Sequence, residues 1–286
     1  MNPPAEDFRC YRHPDRDAYI ACQRCGRMIC PDCMRDASVG FHCPECVAEG
    51  AKSVRAPRTI AGGAVSANVG IVSFVLIGLN VAAFLLTLAT GGNSGDLFQH
   101  GAMLSQSATN ATGEVLTGVD DGAYWRLLTS AFLHENFLHI AFNMYALYLF
   151  GPFVEHALGR TRFIAAYLTT AIAASVFVYW LSNPLGLTIG ASGAVFGLFG
   201  MALMLLLRAK QDVTTLLVLL AINAVVSLQG NISWQGHLGG FVAGCLLGAA
   251  FAYAPRDRKQ LVQVIVFASG WIAMIAAIAI RTGQLN

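Results

Sequence analysis

Charge is scarce in this chain. Of its 286 residues, 12% are Asp, Glu, Lys or Arg and 56% are apolar, whereas water-soluble domains carry about 25% charged residues. A fold bathed only by water is excluded by that ratio. A net charge of +2 is too small for a nucleic-acid footprint, so no nucleic-acid partner is expected. No acidic residue lies between Ser192 and Asp212 or between Val213 and Arg256. No His-Glu-x-x-His occurs, which removes an intramembrane metalloprotease. Residues 1–20 have no apolar core and carry Arg9, Arg12 and Arg16, so they are not a secretory signal and the N-terminus is expected to stay in the cytosol. No period of 20–50 residues marks a repeat array.

What is present divides into three regions. Residues 1–50 are polar and hold seven of the eight cysteines; residues 51–68 are small and basic and read as a linker; from Val69 the chain is mostly apolar. Seven segments have the length and apolarity of membrane helices: roughly 69–90, 126–150, 161–182, 190–207, 213–229, 234–254 and 261–280. With seven spans, Lys52, Arg55, Arg58, Arg160, Arg162, Arg208, Lys210, Arg256, Arg258 and Lys259 all fall on one side. The loop 91–125 on the other side has Asp96, Glu114, Asp120 and Asp121 and no Lys or Arg. Cytoplasmic loops are the ones enriched in basic residues, which predicts an N-in, C-out topology.

Polar residues inside spans are expensive and point to function. The second span has His139 and Asn143, an i, i+4 pair on one helix face. The fourth opens on Gly190-Ala191-Ser192-Gly193, and the sixth has Gly236-His237 near its start. These three spans run in one direction, so Ser192 and His237 are expected at similar shallow depth below the outer surface. Gly193 and Gly197 form one small-residue face, and Gly236, Gly240, Gly244 and Gly248 form another; such faces let helix backbones approach closely. A Ser hydroxyl needs an adjacent base to become a nucleophile, and His supplies one near neutral pH. The Ser192 N–H with the side chains of His139 and Asn143 could hold a developing oxyanion. With no carboxylate in reach, a Ser–His dyad is the simpler reading.

Together these pieces resemble the rhomboid family of intramembrane serine proteases. The matching residues are Trp125-Arg126, His139-Ile-Ala-Phe-Asn143, Glu155 followed by Gly159, Gly190-Ala-Ser-Gly193 and Gly236-His-Leu-Gly-Gly240. They occur in order over about residues 70–255. The resemblance implies an all-α polytopic fold with a six-helix core, here extended by a seventh helix. It implies Ser192 as nucleophile, His237 as base and His139 and Asn143 as oxyanion donors, with no cofactor for catalysis. Trp125 and Arg126 would be structural residues of a membrane-embedded loop. The substrate would be a single transmembrane helix cleaved near its outer end, and the fifth span would move to admit it. Phe196 stands where some members have Tyr and is able to stack on the His237 ring. His100, His134 and His156 read as loop or interfacial residues.

The cysteine-rich head carries Cys10-x2-His13, Cys22-x2-Cys25, Cys30-x2-Cys33 and Cys43-x2-Cys46. Eight ligands suffice for two tetrahedral Zn2+ sites, and reduced cytosolic thiols read as metal ligands rather than disulfides. About 50 residues cannot bury a sufficient core, so metal would supply the folding free energy. The order resembles a B-box zinc finger. That resemblance implies interleaved sites: Cys10, His13, Cys30 and Cys33 in one, and Cys22, Cys25, Cys43 and Cys46 in the other. Consecutive pairing stays open, as does His42 in place of Cys43. A protein partner is expected for this head. The compartment expected for the whole is a bacterial plasma membrane.

The rival to the protease is a catalytically inactive rhomboid-like protein that binds membrane helices. A transporter would need paired broken helices in two related halves, and no such internal symmetry is visible.

Overall fold

A computed structural model of the protein describes residues 8–53, 58–64, 68–110, 113–227 and 232–286. The chain forms two compact units, residues 1–57 and 58–286.

In the first unit, short antiparallel ribbons follow from turn chemistry. Strand β1 (Ile20–Ala21) pairs with β2 (Met28–Ile29), and β3 (Arg35–Asp36) with β4 (Phe41–His42). Gly26 and Gly40, at φ of 76° and 63°, make the connecting turns that residues with a Cβ rarely adopt. Helix α1 (Pro44–Ser53) follows. The buried apolar cluster consists of six cysteines with only Ala18 and Ile29, so side-chain packing alone cannot supply its stability.

Among the described residues of the second unit, seven long helices follow the predicted apolar segments: α2 (Ile71–Ala89), then, beyond a long loop, α5 (Phe137–Leu158), α6 (Arg160–Leu181), α7 (Ser192–Arg208), α8 (Thr214–Ser227), α9 (Trp234–Tyr253) and α10 (Lys259–Leu285). The loop carries α3 (Asp96–Gly101), a hairpin of β5 (Ala108–Thr109) and β6 (Val115–Leu116), and α4 (Arg126–Thr129). Five of the long helices are long and apolar enough to cross a membrane; α7, with 17 residues, and α8, with 14, are shorter. At 1.5 Å per residue they rise about 26 and 21 Å. The outward surface is apolar: Phe74 and Leu85 on α2, Phe142 and Tyr145 on α5, and Ile265 and Ile272 on α10 are all exposed. A water-soluble fold would hide them; a lipid-facing one does not. This is an integral membrane protein.

Two boundaries differ from the sequence reading. The second span starts at Phe137, not near residue 126, because the Asn136 side chain caps a new helix by accepting the His139 N–H at 2.9 Å. The apolar stretch before it forms α4 and a single 3-10 turn, Ser130–Phe132. The expected linker 51–68 is not all linker. Helix α1 continues to Ser53, and within the second unit Ala61 is fully buried and its N–H donates to Ala157 O.

Helix α7 is the centre of the bundle. Eleven of its residues are buried, and it packs on α9, α6 and α5. At α10 only Gln263 is buried; this helix holds on through Tyr179 Oη to Thr282 Oγ1 at 2.9 Å and Trp180 Nε1 to Ala277 O at 3.1 Å. Glu155 ties α5 to the start of α2. Its buried carboxylate accepts from Val72 N, Ser73 N and Ser73 Oγ at 2.9–3.1 Å, an anion set on helix N-terminal amides. Replacing Glu155 by Ala strands these donors. Thermal unfolding in detergent is expected to show a loss of about 1–3 kcal/mol, with Gln losing less; an unchanged midpoint would refute the anchoring role.

Candidate active site and metal clusters

Ser192 is the first residue of α7 and His237 sits in the first turn of α9. These two helices meet backbone to backbone. A Cβ on Gly240 would fall on the Gly193 carbonyl, one on Gly244 on the Gly197 carbonyl, and one on Gly248 would lie 2.8 Å from Met201 Cα. The three glycines share one face of α9, as expected from their spacing, while Gly236 is less crowded. Ser233 caps α9, its Oγ accepting from Gly236 N at 3.3 Å. No side chain caps α7, so its first amide N–H groups beside Ser192 have no intrahelical partner.

The His237 ring is buried and stacked on Phe196, with centroids 4.1 Å apart and planes within 8°. Phe196 lies one turn after Ser192, so the α7 face that presents the hydroxyl also faces the imidazole. Among the described residues no hydrogen bond joins the Ser192 hydroxyl to His237. Instead His237 Nδ1 lies 2.8 Å from Ser227 Oγ, a residue that the sequence reading passed over.

His139 is in the first turn of α5, as shallow in its helix as His237 is in α9. Gly190, at φ of 122°, is what lets it approach: a Cβ there would lie 2.7 Å from His139 Nε2 and 3.6 Å from Ser192 Oγ. Asn143 is buried below, and its Nδ2 donates to His139 O at 2.9 Å, leaving a second amide hydrogen. The segment before Ser192 is stitched to the long loop by Gly190 N to Ser130 O at 2.9 Å and by a Met103–Thr188 bridge. Arg126 organises that loop: fully buried, it donates to Thr117 O, Gln99 O and Ala102 O at 2.6–2.8 Å. Trp125 Nε1 donates to His100 O at 3.0 Å.

His134 lies in the loop before α5, one of the two places expected for it, and it is completely buried there, edge-on to His139 with centroids 5.1 Å apart. Ser130, Ala131 and Leu133 are buried with it, whereas Glu135 and Asn136 next to α5 are exposed.

In the first unit the ligand atoms of Cys10, His13, Cys30 and Cys33 lie within 4.8 Å of one another, as do those of Cys22, Cys25, Cys43 and Cys46. His13 Nδ1 is 3.8, 3.3 and 3.4 Å from the sulfurs of Cys10, Cys30 and Cys33. Cys25 and Cys43 sulfurs are 3.8 Å apart. Around one tetrahedral Zn2+ such pairs are spaced about 3.5–3.8 Å, so both clusters fit that ion. Burial pushes the Cys10 and Cys22 thiols up, but backbone N–H groups outweigh it and hold each at about 6. Burial raises Cys33 to about 11 and Cys46 to about 12.

A Rhomboid domain model matches residues 121–254. The Bacillus subtilis rhomboid relative YdcA is 36% identical over 137 residues, spanning 46% of this chain and 68% of that protein. Rhomboid protease AarA of Providencia stuartii is 27% identical over 184 residues, 54% of this chain and 66% of that protein. Rhomboid protease GluP of Bacillus subtilis is 31% identical over 205 residues, 68% of this chain and 38% of that protein.

Proposed function

This chain belongs to the rhomboid family, and on that premise we propose that it is an intramembrane serine endopeptidase with Ser192 as nucleophile and His237 as general base. The observation that carries the reading is the glycine contact between α7 and α9, which sets the first turns of both helices side by side with Ser192 on one and His237 on the other.

In the proposed reaction Ser192 Oγ attacks the scissile carbonyl carbon while His237 Nε2 takes the hydroxyl proton. The carbonyl oxygen becomes an oxyanion, held by the Ser192 N–H at the start of α7 and by the side chains of His139 and Asn143. His237 returns the proton to the leaving amine, and the acyl-enzyme forms. Water then attacks the acyl carbon, losing a proton to His237; the ester C–O bond breaks, His237 returns that proton to Ser192 Oγ, and the new carboxylic acid leaves and ionises in water. These residues accomplish this without a metal or cofactor. The substrate is a transmembrane helix of another protein, presented from the bilayer and cut near its outer end. In this reading the N-terminus is cytosolic and the site opens near the outer face of a bacterial plasma membrane; the enrichment of Lys and Arg in the loops on the N-terminal side supports the orientation.

The inactive helix-binding alternative has one observation in its favour, the missing Ser192–His237 hydrogen bond. Such contacts are often long without substrate and tighten in the Michaelis complex. The deciding experiment reconstitutes the full chain in liposomes with a transmembrane-helix substrate and a fluorophosphonate probe. Cleavage with labelling at Ser192 supports the protease; a folded chain that binds helices but neither cleaves nor labels supports the alternative.

For the head, the donor sets support two structural Zn2+ sites closed by four protein ligands, with a protein partner as their purpose. The purified full chain is expected to carry two zinc ions by elemental analysis. Cys30→Ser and Cys43→Ser should each lose one, and a chelator should make residues 1–57 protease-sensitive while the membrane unit stays folded. Unchanged zinc content in both variants would refute the ligand sets.

A further inference from the structure

We propose that Ser227 is a positioning residue that decides which nitrogen of His237 carries the proton; the claim rests on the protease reading. Ser227 Oγ is 2.8 Å from His237 Nδ1 and 2.7 Å from Asn223 O. A carbonyl oxygen only accepts, so the single Ser227 hydrogen goes to Asn223 O. The serine lone pair therefore accepts, and the proton it receives is on Nδ1. That leaves the lone pair on Nε2, the nitrogen the reaction needs as base.

Nothing else at the ring performs this task among the described residues. Phe196 covers one face and has no polar atom to offer. No carboxylate is hydrogen-bonded to the imidazole, in keeping with the absence of acidic residues from 213 to 256. Ser227 is 4% exposed, so bulk water does not compete for the bond. When His237 takes the Ser192 proton the ring becomes a cation, and the Nδ1–H to Ser227 contact becomes charge-assisted and stronger. It thus gains strength in the transition state, the condition under which a contact raises kcat rather than lowering KM.

The same bond anchors α8. Leu216 near its start and Ser227 at its end are its only buried residues, so the end of this short helix is held to the bundle through the catalytic base. Displacing α8 at Ser227 would release the tautomer along with the helix.

The test compares the full chain with Ser227→Ala and Ser227→Thr in the liposome assay, alongside nitrogen-15 NMR of labelled histidine. The alanine variant is expected to lose about tenfold in kcat with KM within twofold, and threonine, which keeps the hydroxyl, to regain most of it. The wild-type His237 signal should report a proton on Nδ1, and Ser227→Ala should move the population toward Nε2–H. A folded alanine variant with unchanged kcat and tautomer overturns the proposal, as does a threonine variant no better than alanine. An inactive wild-type chain whose tautomer still depends on Ser227 sinks the protease reading while sustaining the positioning role.

Discussion

Ser192→Ala and His237→Ala are each expected to reduce cleavage of a transmembrane substrate by about 10^4-fold or more, to background. The reason is chemical. Without the hydroxyl no acyl-enzyme forms, and without the imidazole the hydroxyl stays protonated at neutral pH. The two residues act as one unit, so the double variant should lose no more than either single one. Fluorophosphonate labelling should vanish in the serine variant and fall to background in the histidine variant. Ser192→Ala should unfold at the wild-type temperature, since among the described residues its hydroxyl makes no hydrogen bond that holds the bundle, whereas His237→Ala also gives up the Ser227 bond and the Phe196 stack and should unfold at a somewhat lower temperature while staying folded at the assay temperature. Substantial turnover by folded Ser192→Ala would overturn the assignment of the nucleophile.

Gly240→Ala is the second large effect, and it comes from a residue with no chemical group to contribute. The added Cβ would collide with the Gly193 carbonyl, a backbone atom that no rotamer change can move. Helix α9 must then shift away from α7 at the turn that carries His237. A misplacement of about 1 Å costs on the order of 100-fold in rate, so a drop in kcat of at least that size is expected. Gly270→Ala is the matched control: a Cβ at Gly270 meets nothing within 4 Å, and Ala is the better helix former. If Gly240→Ala cleaved as fast as Gly270→Ala, the helix contact would not be what aligns the pair.

The sequence and the structure divide the account of this protein between them. Hydrophobic length, the four Cys/His pairs with two-residue gaps and the every-fourth-residue glycines of α9 are all one-dimensional patterns. Each reflects a local periodicity, of a bilayer crossing, a metal-binding turn or a helix face, and each was legible without coordinates. The stacking of Phe196 on His237 was expected only through the family resemblance, from a position where some members have Tyr, and the structure has it. The start of α5 was misread because residues 126–133 are as apolar as a span; only the Asn136 cap separates them from it. His134 gave no signal, since whether a loop histidine is exposed or sealed against another ring depends on how the loop folds back. Ser227 is the same kind of case: one serine at the end of an apolar helix, ten residues before His237. Composition and periodicity by themselves determined that the chain lies in a membrane, roughly where its seven long helices are, and that α7 and α9 can approach closely. The tertiary structure decided which buried polar groups share a partner, because hydrogen bonds join residues by distance in space, and sequence spacing carries that distance only within a single helix.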